Sequence, residues 1–143
     1  MNQRSIPTIS PSALDKMLEK IGAVSDHFYD RLLAEFPDLK GTFSNTDIAK
    51  QKVEFAAGFV EILRDLDKPG KLASYLEGLG IRHLVYNVVD PDYQHAQTAF
   101  IESLLDVFPE ASDSESKEWA ELMSFICNQM QASGEKAKYK EVV

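Results

Sequence analysis

The chain has 143 residues, of which 44% are hydrophobic and 27% are charged, and this length supports one domain rather than two catalytic ones. Fifteen basic and 23 acidic side chains give a formal net charge of -8, which is the wrong sign for tracking nucleic acid or an anionic membrane surface. The longest nearly apolar run covers residues 55–63, far short of the roughly 20 residues that cross a bilayer. With a single cysteine and no apolar stretch at its start, the sequence predicts a cytoplasmic protein.

The first third of the chain predicts two helices followed by a corner. Ser10 before Pro11 is typical of a helix start, because proline fits the first helical turn. A second helix ends before Pro37 and carries Tyr29 on its apolar stripe, so the phenol points inward. The short stretch that follows contains Phe43, a large aromatic side chain that needs a buried place.

Two more helices are predicted in the middle of the chain. Apolar residues, Val53 among them, cover two faces of a segment from about residue 46 to 66, and we expect such a helix to be packed all round. After a turn, apolar residues recur at helical spacing up to His83, which places the imidazole on an apolar face. Gly78 and Gly80 count against a regular helix there, because an interior glycine costs ~1 kcal/mol relative to alanine.

The last part of the chain predicts two helices and a tail. Asp90 and Pro91 form a helix start, after which Tyr93 faces inward, and residues 112–115 form a capping box for the final helix. The residues beyond are mostly charged and offer little to bury, so they should fray. The pattern divides the chain into a flexible start (1–9), one domain (10–135) and a charged tail (136–143).

The common enzyme motifs are absent from the sequence. It contains no phosphate-binding loop, no G-x-S-x-G elbow, no H-E-x-x-H and no paired cysteines. Cys127 has apolar neighbours, which favours an inert buried thiol over a nucleophile. His27, His83 and His95 are too few for a protein-only zinc site, whereas a haem needs only one axial imidazole from the protein. Only His83 lies on an apolar face.

The alternative for His83 is an ordinary core histidine that is bonded to a backbone carbonyl. Two further polar side chains, Tyr29 and Gln51, also lie on faces that otherwise look buried. Burying a phenol or an amide without a partner costs on the order of 1 to 3 kcal/mol, so both need hydrogen bonds. Dioxygen bound at a haem carries partial negative charge and is a fitting acceptor, which favours a haem site.

With these positions the chain resembles the bacterial single-domain globins, which are related to the globin part of flavohaemoglobins. The similarity spans about residues 13–133 and rests on the order and spacing of several short pieces. It implies an all-α globin fold, a three-over-three helical sandwich around haem b (iron protoporphyrin IX). The pieces are Phe28-Tyr29, Pro37, Phe43, Gln51, Arg82-His83, Tyr86, Val88, Pro91, Tyr93 and Trp119.

The resemblance implies a role for each residue of the site, although it assigns no certain catalytic residue. His83 is the axial iron ligand, and Tyr93 stands beside it on the proximal side. Tyr29, Gln51 and Phe55 line the distal side, where a gas ligand binds. The cofactor contacts are Phe43 and Val88, which pack against the porphyrin, and Lys50, Lys52 or Arg82, which pair with its propionates.

Three features depart from the family pattern. Glu54 stands where relatives usually have a lysine or arginine, and a carboxylate cannot pair with a propionate. Counting from Trp119 places Gly134 where flavohaemoglobins have a proximal glutamate, with Glu135 one residue late, which argues against a strong electronic push on the iron. The join between the first two helices is also shorter than usual.

The expected function is reversible binding of dioxygen, and of carbon monoxide and nitric oxide, in a monomer or homodimer. Oxidation of nitric oxide to nitrate is a further expectation, and it requires a separate reductase because the sequence has no flavin or nicotinamide segment. Two alternatives are a haem-based gas or redox sensor that is read by a partner protein, and a haem-free globin-fold interaction module. Retention of Tyr29, Gln51 and His83 argues against the haem-free module.

Overall fold

The structure is a computed structural model that describes residues 6–85, 88 and 90–142. Five α-helices and one short 3₁₀-helix make up the regular structure of these residues, which contain no strand, so the expected all-α class is confirmed. The elements are α1 (Pro11–Glu35), the 3₁₀-helix (Pro37–Lys40), α2 (Ile48–Arg64), α3 (Pro69–Val85), α4 (Asp90–Val107) and α5 (Asp113–Val142).

Local sequence signals fix several helix starts. Ser10 precedes α1, with Pro11 in its first turn. At the start of α5 the capping box is present as expected: the Glu115 N–H donates to Ser112 Oγ at 3.1 Å, and the Ser112 N–H donates to Glu115 Oε1 at 3.1 Å. These bonds satisfy backbone donors that have no partner inside the helix.

Helix α1 is one bent helix where two helices were expected. Its backbone leaves the helical region at Lys20, with φ -122° and ψ 23°. Met17 before the bend and Val24 after it are both fully buried, so the bend keeps the apolar stripe of both halves on the core. The short join between the first two predicted helices is therefore a kink within one element.

Helix α2 is not packed all round, and that expectation was wrong. Val53 is 69% exposed, whereas Phe59, Ile62 and Leu63 are buried. The apolar pattern identified two faces, but within the described part of the chain the main helical neighbour of α2 is α1. Part of the second apolar face, around Val53, therefore remains at the surface, whereas Leu63 on the same face is buried.

The core lies between both consecutive and non-consecutive helices of the chain. Helix α1 packs against α2 and α4, and α5 packs against α3 and α4, while α2 and α3 share at most a marginal contact among the described residues. Side chains from these helices fill the interior, including Met17, Leu72, Leu76, Phe100, Leu104 and Leu122. Between α2 and α3 the described contact includes a side chain, since the Tyr75 hydroxyl of α3 lies against Gly58 of α2.

The two ends of the chain carry more structure than the sequence pattern indicated. Ile9, within the segment expected to be flexible, is only 8% exposed and packs in the core. Helix α5 continues to Val142, through much of the charged tail. Of the described helices, none is both long enough and apolar enough to span a membrane.

Candidate functional site

The last turn of α3 holds His83 in a defined orientation. Its Nδ1 lies 2.8 Å from the carbonyl oxygen of Leu79, one turn earlier in the same helix. Because a carbonyl only accepts, Nδ1 carries the proton and the lone pair resides on Nε2. Burial lowers the pKa of His83 below its ordinary 6.5, with the Arg82 charge acting in the same direction. The imidazole is therefore neutral at pH 7 and can donate its Nε2 lone pair to a metal.

Helices α1 and α2 bring Tyr29 and Gln51 together. The Gln51 amide Nε2 donates to Tyr29 Oη at 3.2 Å, between two successive α-helices. Tyr29 is only 5% exposed, and burial raises its pKa to about 12, although the bond from Gln51 opposes this rise. The phenol is therefore protonated at neutral pH. Since its oxygen accepts from Gln51, its own O–H hydrogen remains available to a further acceptor.

Aromatic rings surround this polar pair. Phe55 stacks on Phe28 at 4.7 Å between ring centroids and 19° between ring planes, and it meets Tyr29 edge-on at 5.9 Å. Phe43 also meets Tyr29 edge-on, at 6.0 Å and 89°. Such contacts add about 0.5–1.5 kcal/mol each beyond area burial. The structure thus gathers Tyr29, Gln51 and Phe55, the three residues expected on the distal side, and brings Phe43, expected at the porphyrin, against Tyr29.

The surroundings of His83 include the expected proximal residues. The Tyr93 ring lies 6.4 Å from the His83 ring, with 30° between the planes. Burial raises the pKa of Tyr93 to about 12, so it is a neutral neighbour. The Val88 N–H donates to His83 O at 3.0 Å, which holds the chain against the end of α3. Tyr86, another residue of the resemblance, lies outside the described residues.

The three candidate cations lie in different settings. Lys50 on α2 and Arg82 on α3 are exposed. Lys52 is held on α1 instead, because its Nζ lies 2.7 Å from Asp26 and 3.0 Å from Asp30. Hydrogen bonds to those two carboxylates raise the pKa of Lys52. A role for Lys52 toward a cofactor would require breaking both ion pairs, so the structure favours Lys50 and Arg82.

The remaining histidines and the cysteine stay apart from this site. His27 Nδ1 lies 3.3 Å from an oxygen of Asp106, and His95 stacks on Phe36 at 3.9 Å between centroids. Cys127 is buried and its thiol donates to Tyr93 O at 3.9 Å. Burial raises the pKa of this thiol to about 12, which makes it inert as expected.

Sequence reasoning missed two contributors to the site. It considered a backbone carbonyl as a partner of His83 but did not name Leu79, although a partner four residues before a helical histidine follows directly from helix geometry. It also gave no role to the ring of Phe28, which stacks on Phe55. Phe28 entered only as part of the Phe28-Tyr29 piece of the resemblance, because an apolar ring in a helix does not by itself indicate a binding site.

Comparison with known proteins identifies the family. The globin family matches residues 26–130, well over half of the chain. The chain belongs to the globin family. Its residues suit the family's cofactor: a neutral imidazole with Nε2 unprotonated, an apolar aromatic surface and exposed cations are what a haem needs. This globin is therefore a haem-binding protein.

Relatives in sequence are bacterial flavohemoproteins. The flavohemoprotein of Xylella fastidiosa strain Temecula1 is 28% identical over 124 residues, which cover 85% of this chain. That of Vibrio cholerae is 27% identical over 128 residues, or 87% of this chain. This globin spans only 31% and 32% of the lengths of these relatives.

Solved structures confirm the globin fold. A hexacoordinated heme protein from an anhydrobiotic tardigrade matches with a TM-score of 0.76 at 10% identity, over 93% of this chain and 99% of that one. The deoxy form of hemoglobin from Mustelus griseus matches with a TM-score of 0.70 at 19% identity, over 89% of this chain and 99% of that one. At such low identity the likeness concerns the fold alone.

Proposed function

We propose that this globin binds haem b through Nε2 of His83 and takes up dioxygen reversibly beside Tyr29 and Gln51. The bond from His83 Nδ1 to Leu79 O at 2.8 Å leaves the Nε2 lone pair free for iron, but an ordinary core histidine would make the same bond. The observation that carries the proposal is therefore the buried Tyr29–Gln51 pair, in which Gln51 donates to Tyr29 Oη at 3.2 Å and leaves the phenol hydrogen for a ligand. A haem bound there supplies an iron with an open position for a diatomic gas. Carbon monoxide and nitric oxide are further ligands of the same site.

The polar pair favours a ligand that carries negative charge. Tyr29 keeps its proton, because burial raises its pKa to about 12, and Gln51 orients the phenol by donating to its oxygen at 3.2 Å. The Tyr29 O–H therefore donates to a ligand held between them, and Gln51 has a second amide hydrogen to offer. A hydrogen bond to a charged acceptor contributes about 1.5–3 kcal/mol, or roughly ten- to a hundred-fold in affinity. This difference selects dioxygen over the less polar carbon monoxide.

Two side chains at the surface suit the carboxylates of the cofactor. Lys50 and Arg82 are exposed on α2 and α3, two helices that share at most a marginal contact among the described residues. Cations at the rim of an apolar pocket pair with propionates while the ring stays buried. The apolar faces come from Phe43 and Phe55 on one side and from Val88 on the other.

Titration of the purified protein with haem tests the proposal. We expect a red protein with a strong Soret band and one equivalent of haem per chain. His83→Ala should lose or loosen the haem, whereas the matched control His95→Ala should not, because His95 stacks on Phe36. A wild-type protein that refuses added haem would contradict the proposal and leave only a haem-free interaction module.

Oxidation of nitric oxide is the second candidate, and the similarity to flavohemoproteins favours it. In that reaction one nitric oxide, one dioxygen and one electron yield one nitrate, so a reductase must supply an electron in each cycle. Tyr29 and Gln51 would hold the dioxygen for attack. The test is nitrate formation over many turnovers with a reductant present, and formation limited to a single turnover would count against catalysis.

A further inference from the structure

The helix that carries His83 touches α5 through bare backbone. A Cβ atom at Gly80 would stand 2.9 Å from Met130 Cα and would also overlap the carbonyl oxygen of Met130. Real Cβ atoms do not approach other atoms this closely. Because the obstructing atoms belong to a helix backbone, no rotation of a side chain can relieve the overlap. Only glycine permits this spacing between α3 and α5.

A second glycine supports the same crossing from the other helix. A Cβ at Gly134 would lie 3.6 Å from Gly80 O and 3.9 Å from Leu84 Cβ. This is an ordinary van der Waals distance, so Gly134 leaves room for the crossing of α3 and α5 but does not fix their spacing. Beside the crossing lies a cavity of about 230 Å³ whose lining includes Leu84, Val88 and Tyr93. Because side chains do not fill this cavity, the backbone contact at Gly80 sets the spacing between α3 and α5 beside it.

The crossing occurs in the turn that orients the imidazole. Gly80 follows directly on Leu79, whose carbonyl oxygen holds His83 Nδ1 at 2.8 Å. A displacement of Gly80 away from α5 therefore carries both the imidazole and its hydrogen-bond acceptor with it. The Tyr93 ring, 6.4 Å from the His83 ring, belongs to α4 and does not move with α3.

We propose that Gly80 is a positioning residue for the axial histidine: its backbone contact with Met130 sets how far Nε2 of His83 reaches into the haem site. This inference rests on the proposed haem function. It explains why glycine stands at this position, although glycine lowers the helix propensity of α3. The strain on a bond between His83 and iron would then depend on the distance between α3 and α5.

Gly78 provides a matched control in the same helix. A Cβ there would meet only Arg82 Nη1, at 3.4 Å, which is the far end of a flexible side chain. Alanine at either position raises helix propensity by the same amount, and Gly78→Ala makes no contact with α5 but only touches the movable end of Arg82. Gly78→Ala should therefore leave the His83 imidazole in place.

The experiment compares wild type, Gly80→Ala and Gly78→Ala, each loaded with haem. Resonance Raman spectra of the ferrous, ligand-free proteins give the iron–histidine stretching frequency, and transfer to an apoglobin gives the rate of haem loss. We expect Gly80→Ala to shift the frequency beyond the spread between wild type and Gly78→Ala, and to lose haem about ten-fold faster or more. A Gly80→Ala protein with the wild-type frequency and rate would overturn the proposal.

Failure to fold does not end the test. If Gly80→Ala does not fold, Gly134→Val replaces it, since the branched side chain extends toward Gly80 O and Leu84. A frequency shift in folded Gly134→Val supports the proposal, and the wild-type frequency in that variant overturns it. A wild-type protein that binds no haem overturns the proposed function itself, together with this inference. A red wild type with an unaffected variant overturns the inference alone.

Discussion

The direction of the hydrogen bond between Tyr29 and Gln51 decides what the site can bind. Gln51 donates to Tyr29 Oη at 3.2 Å, so the phenol hydrogen is left for the ligand. Were the bond reversed, the phenol would use its hydrogen on the amide oxygen and the site would offer a ligand less polar stabilisation. The Tyr29–Gln51 pair therefore holds a hydrogen-bond donor ready for the ligand. A stronger hydrogen bond to dioxygen gives a lower dissociation rate.

Removing the phenol hydroxyl should accelerate dioxygen release. Tyr29→Phe deletes a donor to a partly charged acceptor, and we expect the dissociation rate to rise about ten-fold or more. Stopped-flow displacement of dioxygen by carbon monoxide measures this rate. Tyr75→Phe is the comparison variant, because its hydroxyl also lies between α2 and α3, against Gly58, whereas Gln51 bonds to Tyr29. An unchanged rate in Tyr29→Phe would remove Tyr29 from its proposed role.

The same phenol should make dioxygen release insensitive to pH over a wide range. Burial raises the pKa of Tyr29 from 10.0 to about 12, so the donor stays protonated through pH 10 and is lost only as pH approaches 12. We expect a flat dissociation rate from pH 7 to 10 and a rise above pH 11 in wild type. Tyr29→Phe should show no such rise. A midpoint near pH 10 would mean that the phenol is not buried as described.

Single residues also show what the sequence could and could not reveal. The helical spacing placed Tyr29 and His83 inward, because periodicity reports which face of a helix is apolar. Spacing could not separate Lys52 from Lys50, since only the folded chain brings Asp26 and Asp30 to one of them. Gly80 looked like a weakness in α3, because the need for close approach arises from α5, fifty residues later.

Among the helices, the packing of α1 on α4 is bordered by a group of charges centred on Arg31. Its guanidinium donates two hydrogen bonds of 2.7 Å to Asp106 and one of 3.1 Å to Glu35. In this group of charges, Glu102 Oε1 is buried without a hydrogen bond among the described residues. Burial and the neighbouring Glu35 raise the pKa of Glu102, whereas Arg31 lowers the pKa of Asp106.

Opposite pKa shifts predict opposite effects of neutralising these two carboxylates. A raised pKa means that ionised Glu102 opposes folding, so Glu102→Gln should raise Tm by about 1 to 2 °C at pH 7. A lowered pKa means that ionised Asp106 favours folding, so Asp106→Asn should lower Tm by about 2 to 4 °C. Thermal unfolding of both variants beside wild type measures the effects.

The pH dependence follows from the same signs. The stability contribution of Glu102 is fully present below its ordinary pKa of 4.5 and lost as pH rises through its higher folded value. The gain in Glu102→Gln should therefore vanish in acid. The contribution of Asp106 is present above 3.8 and lost as pH falls through its lower folded value. The deficit in Asp106→Asn should also vanish in acid, and equal shifts in both variants would contradict the assignment.

The apolar periodicity correctly predicted that α2 is a helix, but it did not predict which parts of the chain pack against it. The sequence predicted a helix over about residues 46–66, and α2 spans Ile48–Arg64. It also predicted packing on both apolar faces, yet Val53 is 69% exposed. An apolar face indicates which side of a helix can be buried. The path of the rest of the chain determines whether a neighbour covers that side.

Over the whole molecule, the site divides between two groups of helices. Tyr29 and Gln51 belong to α1 and α2, while His83 and Tyr93 belong to α3 and α4. The α1–α4 and α4–α5 contacts join the groups at one end, whereas α2 and α3 share at most a marginal contact among the described residues. A ligand held between α2 and α3 therefore adds a link where the protein itself provides little.

Haem should consequently stabilise the whole fold through His83. A ligand that binds only the folded state at 1,000 times its Kd adds about 4 kcal/mol, or on the order of 10 °C in Tm for a domain of this size. We expect that increase in wild type and in His95→Ala, measured by thermal unfolding with and without haem, and most of it to be missing in His83→Ala. Amide hydrogen exchange should slow most in α2 and α3, because these helices gain the link. An equal Tm increase in His83→Ala would show that haem is held by something other than this histidine.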